Sequence, residues 1–365
     1  MLSEEDSNFK DKYKTIYSFS LTFEALEVKK DADVTEDVFN IYISGIDSYG
    51  SVNSLTRSDV NIVASINPKT NQILLINIPR DYYVEFPGTS KKDKLTHAGI
   101  YGIDMSINTV EELLDIEINY YFKVNYNALI KLVDALGGVD VYSKYTFTSG
   151  EYYFKYQKGY NHVNGIQALE FVRTRKAFKD GDRVRGENQQ AMIKAIIKKA
   201  ISPSILTKYS DILNSLKGTF ATNMGIETIT DLIKLQLDKM PSWNIVSKSL
   251  NGSDGSGFTY TYPHQELYVM IPNQQTIDDI KQEIEKNMQD EVLDASIEET
   301  SDKVNTPTVN KPVVETKEEV DSNNDESFTE KEPVVLDENI NQNDNPSIDN
   351  DKGTNEDDIE SNLTE

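Results

Sequence analysis

Val38-Phe39-Asn40-Ile41-Tyr42-Ile43-Ser44-Gly45-Ile46-Asp47 opens the part of the chain that decides the fold. Its β-branched and aromatic residues read as a strand that ends at an acid. Val60-Asn61-Ile62-Val63-Ala64-Ser65-Ile66 is a second such run. The turn residues Asn67-Pro68-Lys69-Thr70-Asn71 then lead into Gln72-Ile73-Leu74-Leu75-Ile76-Asn77-Ile78, and the pair predicts a hairpin in a buried sheet. Outward from this hairpin, helical and extended stretches alternate. A helix over 104–115, a strand over 118–125 and a helix over 126–136 follow, the last ended by Gly137-Gly138. A short strand at 139–142 and an aromatic hairpin at 144–160 come next. Asn164 is placed to cap a helix reaching Val172. A polar loop from Arg173 to Asp182 leads into a long helix over 185–201. Helices near 205–217 and 226–239, a strand near 243–250, a flexible loop at 252–257, and helices near 264–271 and 275–288 complete the pattern. Mixed strands and helices of this kind imply a layered α/β domain.

Charge divides the chain. From Gln289 to Glu365 there are 24 acidic residues against 5 lysines, a net of −19, which leaves only −5 of the total −24 for residues 1–288. The tail is rich in Asn, Ser, Thr and Pro and poor in aromatics, so it predicts a disordered segment without a core. Residues 1–36 are polar, with one alternating strand at 16–23 that reads as a linker or the remnant of an upstream accessory region. The globular domain is therefore expected over 37–288. A chain without a basic surface does not suit a duplex nucleic-acid interface. The absence of cysteine excludes disulfides and Cys-ligated metal sites, and three scattered histidines do not favour a His-rich one. No apolar run is long enough to span a bilayer and no signal peptide is visible, although the start could be native or a boundary of an excised piece.

Two groups of residues carry chemistry. Asp47 follows the first strand, Arg57-Ser58-Asp59 precedes the second, and Pro79-Arg80-Asp81 follows the third. If the first two strands lie side by side, Asp47 and Asp59 share one rim, where two carboxylates can hold a hard divalent cation bridged to phosphate. The same residues also serve as ordinary turn and cap residues, and spacing leaves both readings open. The second group is Arg173-Thr174-Arg175 with Asp182-Arg183-Val184-Arg185. Guanidinium forks suit phosphate oxygens. A surface network with Asp180, Asp182 and Glu187 is the alternative.

In order, Ser44-Gly45-Ile46-Asp47, Arg57-Ser58-Asp59, Ile78-Pro79-Arg80-Asp81, Asp134-Ala135-Leu136-Gly137-Gly138-Val139, Asn164 through Arg175 and Asp182 through Gln189 resemble the LytR-CpsA-Psr family of cell-wall glycopolymer transferases. The resemblance runs from about Val38 to Ile201 and weakens towards Met288. It implies a three-layer α/β/α sandwich whose central mixed sheet encloses an apolar lipid tunnel. By motif position, Asp47 and Asp59 would be the metal-associated acids. Arg57, Arg80, Arg173, Arg175 and Arg185 would contact a pyrophosphate, and Asp182 and Gln189 would orient arginines or substrate. The cofactor it implies is Mg²⁺, with Mn²⁺ as an alternative ion. The partners it implies are a polyprenyl-pyrophosphate-linked glycan (capsule, teichoic acid or another wall polymer), peptidoglycan, and the membrane through an anchor preceding the domain, with the domain outside the cell. The sequence departs from the family pattern at Asn188, where many members have Arg, and at Val60, where many have Thr. The expected reaction is attack of a peptidoglycan sugar hydroxyl on the phosphorus bearing the glycan, with Asp59 either the residue that takes the proton or a metal ligand only. The alternatives are a polyprenyl-pyrophosphate pyrophosphatase, a lipid-phosphate binder or envelope interaction module, and a transcriptional attenuator. For the last, no helix-turn-helix is evident.

Overall fold

The structure is a computed structural model, and it describes residues 32–206, 208–216, 218–294 and 305–309. Strands β1 (Phe39–Ile46), β2 (Ser58–Asn67) and β3 (Gln72–Asn77) are followed by a small hairpin of β4 (Tyr83–Phe86) and β5 (Lys91–Lys94). Helices α1 (Leu95–Ala98) and α2 (Ile103–Leu114), strand β6 (Tyr120–Val124) and helix α3 (Tyr126–Ala135) come next. Strands β7 (Val139–Ser143), β8 (Phe147–Thr148), β9 (Phe154–Tyr156) and β10 (Gly159–Val163) precede α4 (Gly165–Arg173) and the long α5 (Gly181–Ala200). Then follow α6 (Pro203–Leu206), α7 (Tyr209–Ser215), β11 (Phe220–Thr222), α8 (Ile226–Lys239), β12 (Asn244–Ser249), β13 (Gly252–Phe258), β14 (Glu266–Pro272), α9 (Gln274–Met288) and β15 (Thr308–Val309).

The central sheet has the order β11-β6-β1-β2-β3-β12. It is mixed: β1–β2 and β2–β3 pair antiparallel, while β1–β6 and β3–β12 pair parallel. Period-2 alternation divides its side chains between two cores. Tyr42, Val63, Leu74, Ile76 and Val246 pack with Val110 and Leu114 of α2 and with Ile277, Ile280 and Ile284 of α9. Phe39, Ile41, Ala64, Ile73, Leu75 and Ile245 pack on the opposite face with Ile193 and Ile197 of α5 and with Ile229 and Leu232 of α8. The expected α/β/α layering is therefore present. A third cluster joins α3, α4 and the aromatic β7–β10 region through Val133, Phe147, Tyr156, Leu169 and Phe171.

Several expectations are corrected. The stretch 264–271 is not a helix, and 252–257 is not a loop; β13 and β14 pair antiparallel from Gly252↔Pro272 to Phe258↔Glu266. The glycines make this possible, since a Cβ on Gly252 would lie 2.2 Å from Ile271 O and one on Gly255 2.7 Å from Ile271 Cγ1. Helix α5 begins at Gly181, so the loop after Arg173 is shorter than expected. The polypeptide folds back closely there, because a Cβ on Gly181 would meet Arg175 O at 2.6 Å. The acidic tail is not uniformly without structure. Leu293 is buried in the first core, and β15 adds to β9 through Thr308↔Lys155 and Val309↔Phe154. The strand expected at 16–23 lies outside the described residues, as does the rest of the tail.

Candidate active site

The sheet topology gathers distant chain segments at one edge. Because β1 and β2 are antiparallel, Ile46 faces Ser58, and Asp47 and Asp59 leave adjacent strands at the same rim. Because β2 and β3 are antiparallel too, the end of β3 returns there, and Ile78 N donates to Asn61 O at 2.9 Å. Parallel β6 delivers Val124 beside Gly45, so α3 starts at this rim as well. Asn125 caps that helix by accepting from Ala128 N. On the other side of β2, Gly99 of the turn after α1 packs against the Thr56–Ser58 backbone. A Cβ there would lie 2.4 Å from Thr56 O, which fixes the approach of Arg57 and Asp59 to the rim.

Arg80 Nη1 lies 3.1 Å from Asp59 Oδ1, and Arg80 Nε lies 3.3 Å from Asp81 Oδ2. Lys94 Nζ holds the other oxygen of Asp81 at 3.0 Å. Thr96 Oγ1 donates to Asp59 Oδ1 at 3.4 Å. Burial opposes the charge on Arg80, but Asp59 and Asp81 outweigh it and raise its pKa above the ordinary arginine value. Asp182, in the first turn of α5, lies between two arginines: Arg175 Nη1 and Arg185 Nη2 each stand 3.5 Å from its Oδ1. The side chain of Arg185 is only 10% exposed, and its Nε is buried without a hydrogen-bond acceptor. Burial, and then the neighbouring guanidinium of Arg80, push its pKa below the usual arginine value, against the pull of Asp182 and Asp59. A buried cation with an unused donor is costly unless an anion joins it. The arrangement leaves a buried guanidinium donor able to bind an anionic oxygen.

The helix holding Arg185 is pressed onto the sheet. A Cβ on Gly186 would sit 2.7 Å from Asn77 Nδ2 at the end of β3, so any other residue here would have to push that side chain aside. Gln190 Nε2 donates to Leu75 O at 3.2 Å and to Lys248 O at 2.5 Å, tying α5 to β3 and β12. Gln189 is buried one helical turn beyond Arg185, on nearly the same face. The neighbouring Asn188 is spent on packing, donating from Nδ2 to Phe171 O at 3.3 Å.

Asp47 and Arg173 join the rim through a residue that the sequence reading passed over. Tyr126 donates a short hydrogen bond from its hydroxyl to Asp47 Oδ1, and Arg173 lies 4.6 Å over its ring. Burial, then its bond to Asp47, holds the Tyr126 phenol protonated well above the usual range, and Asp59 adds to the effect. Arg173 also reaches Glu151 Oε2 at 3.3 Å and Glu170 Oε1 at 3.9 Å. The position of Tyr126 was a usable signal, since it lies two residues past the carboxyl end of a strand parallel to β1, where ligands collect in α/β sheets. Thr96 and Lys94 carried no such signal, because α1 is a single turn and β5, which Lys94 ends, is only four residues long. Arg57 stands apart: its Nη2 donates to Tyr262 OH at 3.3 Å, and no ion pair joins it to the cluster. Arg183 supplies the surface network the sequence left open, pairing with Glu187 and, at 3.4 Å, with Asp180. The geometry thus separates a solvated arginine from a buried one two residues away.

Among the described residues, no group of three or more His, Cys, Asp or Glu converges to cage a metal. Asp47 and Asp59 are two hard oxygen donors on adjacent strand ends, beside guanidinium cations of the kind that suit phosphate. That donor set fits an ion of the Mg²⁺ kind, which takes one or two carboxylates and completes its shell with water and substrate phosphate.

Residues 3–286 match the LytR_cpsA_psr family. A polyisoprenyl-teichoic acid–peptidoglycan teichoic acid transferase TagU of Bacillus cereus is 38% identical over 217 residues, which is 57% of this chain and 70% of the relative. A protein of the same name from a second Bacillus cereus strain is 40% identical over 196 residues, 53% of this chain, and there the match spans 63% of the relative, just under two thirds. A solved structure of TagT bound to LIIa-WTA superposes with a TM-score of 0.57 at 30% identity, covering 74% of this chain and 98% of that one.

Proposed function

Because this chain belongs to the LytR_cpsA_psr family, we propose that it transfers a glycopolymer from a polyprenyl-pyrophosphate carrier onto a peptidoglycan sugar hydroxyl. The observation that carries this reading is Arg185, buried with an unpartnered Nε between the Arg80–Asp59 pair and the Arg175–Asp182 pair. Such a site is built for a pyrophosphate rather than a single charge. The TagU relatives, by name, act on teichoic acid and peptidoglycan, which supports a wall glycopolymer as cargo.

In this reaction the hydroxyl oxygen attacks the phosphorus that bears the glycan. A new phosphodiester forms, the bridging P–O bond breaks, and polyprenyl phosphate leaves with the bond's electron pair. Arg80, Arg175 and Arg185 bind the non-bridging and departing oxygens, and offset the charge that builds on them. Thr96 and Arg80 hold the Asp59 carboxylate through Oδ1, which leaves Oδ2 for one of two roles, accepting the hydroxyl proton or ligating the metal. Tyr126, kept protonated, orients Asp47. Asp47 and Asp59 would hold Mg²⁺, which when bound supplies further neutralisation of phosphate charge. The isoprenoid tail needs an apolar lining. Ile78, Tyr82 and Leu95, which flank Arg80 and Thr96 in sequence, all belong to the core between the sheet and α2 and α9. All three are 1% exposed or less, so a lipid entering on this side would have to part that packing. With a membrane-borne donor and a wall acceptor, the domain works at the outer face of the membrane. Among the described residues no helix is long and apolar enough to cross it.

The test is transfer of a lipid-pyrophosphate glycan to peptidoglycan fragments, with products identified by mass. Asp59→Ala and Arg80→Ala should each lower the rate by at least about a hundredfold, the scale of a lost transition-state contact. Their melting temperatures should stay close to wild type, because both side chains are part-exposed. Chelation should stop transfer and Mg²⁺ restore it. Wild-type rates in either variant, or release of free glycan phosphate in place of a peptidoglycan adduct, would remove this reading.

A further inference from the structure

The rim has two ends, and only one of them is occupied by the phosphate-binding arginines. Its strands run in the order β6, β1, β2, β3, so Tyr126, Asp47, Asp59 and Arg80 follow one another across it. Arg80 stands just past β3, and the turn of α5 that carries Arg185 packs on Asn77 at the end of that strand. Three strand spacings, about 14 Å, separate the ends of β3 and β6. In an in-line displacement the attacking oxygen enters on the side of the phosphorus opposite the departing one. With the departing phosphate held by Arg80 and Arg185 at the β3 end, the acceptor hydroxyl arrives from the β6 end.

Two tyrosine rings stand open at that end. Tyr49 is 53% exposed and Tyr152 45%. The Tyr49 ring meets Tyr126 edge to face at 5.0 Å, and the Tyr152 ring stacks on buried Phe154 at 5.9 Å. Arg173, over the Tyr126 ring, pairs at 3.3 Å with Glu151, next to Tyr152, and both side chains stay partly exposed. Burial raises the pKa of the Tyr49 phenol; Arg173 opposes it, and Glu151, Tyr152 and Glu170 add to it, so these four lie around its hydroxyl.

The loops that carry the two rings are held in one shape. Asn127 Nδ2 donates to Tyr49 O at 2.8 Å, Asn125 Nδ2 to Gly50 O at 2.7 Å and Tyr126 N to Ser48 O at 3.1 Å. Lys123, buried in β6, donates from Nζ to Ser54 O of the same loop at 2.8 Å, although burial lowers its pKa. Burying an ammonium is costly, and here it fixes a surface loop. In the other turn, Glu151 N donates to Glu170 Oε2 at 3.2 Å and Ser149 N to Phe154 O at 2.8 Å.

A pyranose ring presents C–H groups on its faces and hydroxyls at its edge. It therefore suits an aromatic ring beneath it and charged donors and acceptors beside it. We propose that Tyr49 and Tyr152 form the stacking platform for the acceptor: sugar rings of the peptidoglycan glycan strand lie on them, with hydroxyls at Arg173 and Glu151. The proposal deepens the transferase reading and rests on it for the identity of the glycan.

The experiment uses the full chain and a labelled, lipid-free peptidoglycan tetrasaccharide, followed by anisotropy. The wild type should bind it. Tyr49→Ala and Tyr152→Ala should each weaken binding at least about fivefold, the scale of one lost ring contact, and Tyr49→Phe and Tyr152→Phe should keep it. Because Tyr49 also touches Tyr126, Tyr152→Ala on a separate hairpin gives the independent reading. In transfer assays the Ala variants should raise KM for peptidoglycan fragments by a similar factor and leave KM for the lipid-linked donor and kcat near wild type. A wild type that does not bind the tetrasaccharide, unchanged binding in both Ala variants, or a rise in donor KM instead of acceptor KM overturns the proposal. If the wild type binds the tetrasaccharide through these tyrosines but transfers nothing to it, the transferase reading fails on its own and the glycan platform stands.

Discussion

Arg185 shows how much a single side chain's setting decides. It lies two residues from Arg183, and the sequence presents them as members of one basic cluster. Arg183 is 57% exposed, so its pairs with Glu187 and Asp180 are ordinary surface ion pairs of little net value. Arg185 is nearly buried, beside two other guanidinium groups, with an orphan Nε. Its charge is therefore a liability that a bound anion relieves. Inorganic pyrophosphate with Mg²⁺ should raise the wild-type melting temperature, as any ligand specific for the folded state does. Arg185→Met should melt at or above the unliganded wild type and lose that response. An equal ligand-induced rise in the variant would mean that Arg185 does not meet the anion.

Elements brace the rim as much as the residues in it. The buried carboxylate of Asp93, at the end of the β4–β5 hairpin, joins three segments. His97 Nδ1 of α1 lies 2.6 Å from Asp93 Oδ1, and because a carboxylate can only accept, that nitrogen carries the proton. Thr261 gives its backbone N–H and its hydroxyl to Oδ2 at 2.7 and 2.6 Å. Tyr262, next in sequence, packs edge-on against the His97 ring and meets Arg57. Burial raises the pKa of Asp93, but the donors from His97 and Thr261 together outweigh it and leave the pKa below the usual carboxylate value. The stability this group contributes is thus present above the unfolded-state pKa near 4 and is lost as pH falls through the lower folded-state value. Asp93→Asn should cost about 1–3 kcal/mol at neutral pH, the penalty for disrupting buried hydrogen bonds. It should also flatten the loss of stability below about pH 4. Denaturant melts at several pH values would show this, and parallel acid limbs in both proteins would refute it.

At the scale of the whole molecule, the acidic tail is not merely appended. Asn305 N donates to Tyr160 O and His162 N to Asn305 O, each at 2.6 Å. Gln167 Nε2 reaches Pro307 O at 3.3 Å, and β15 continues on β9. The short β8–β9 hairpin is thereby widened to three strands, and two-stranded ribbons are marginal alone. The turn of that hairpin carries Glu151, the partner of Arg173. Removing residues 310–365 should leave the melting temperature unchanged, whereas removing 295–365 should lower it by about 2–4 °C, the shift expected for roughly 1 kcal/mol in a domain of this size. Identical melts for the two truncations would show that the added strand contributes nothing.

The sequence by itself determined the strands β1 to β3, the layering about them and the acids and arginines placed where those strands end, because side-chain periodicity and turn chemistry are local properties. It also determined that Asp47, Arg57-Ser58-Asp59 and Arg80 stand at strand ends, since a strand's end is visible where its pattern stops. Only the tertiary structure decided that 252–257 and 266–272 pair as strands, because Gly252 and Gly255 gain extended structure only from the close crossing of Met270 and Ile271. It alone separated Arg185 from Arg183, brought Tyr126 to Asp47 and sent Arg57 to Tyr262. Burial and pairing between residues scores of positions apart depend on which surfaces the packed chain brings into contact, and local sequence does not encode that.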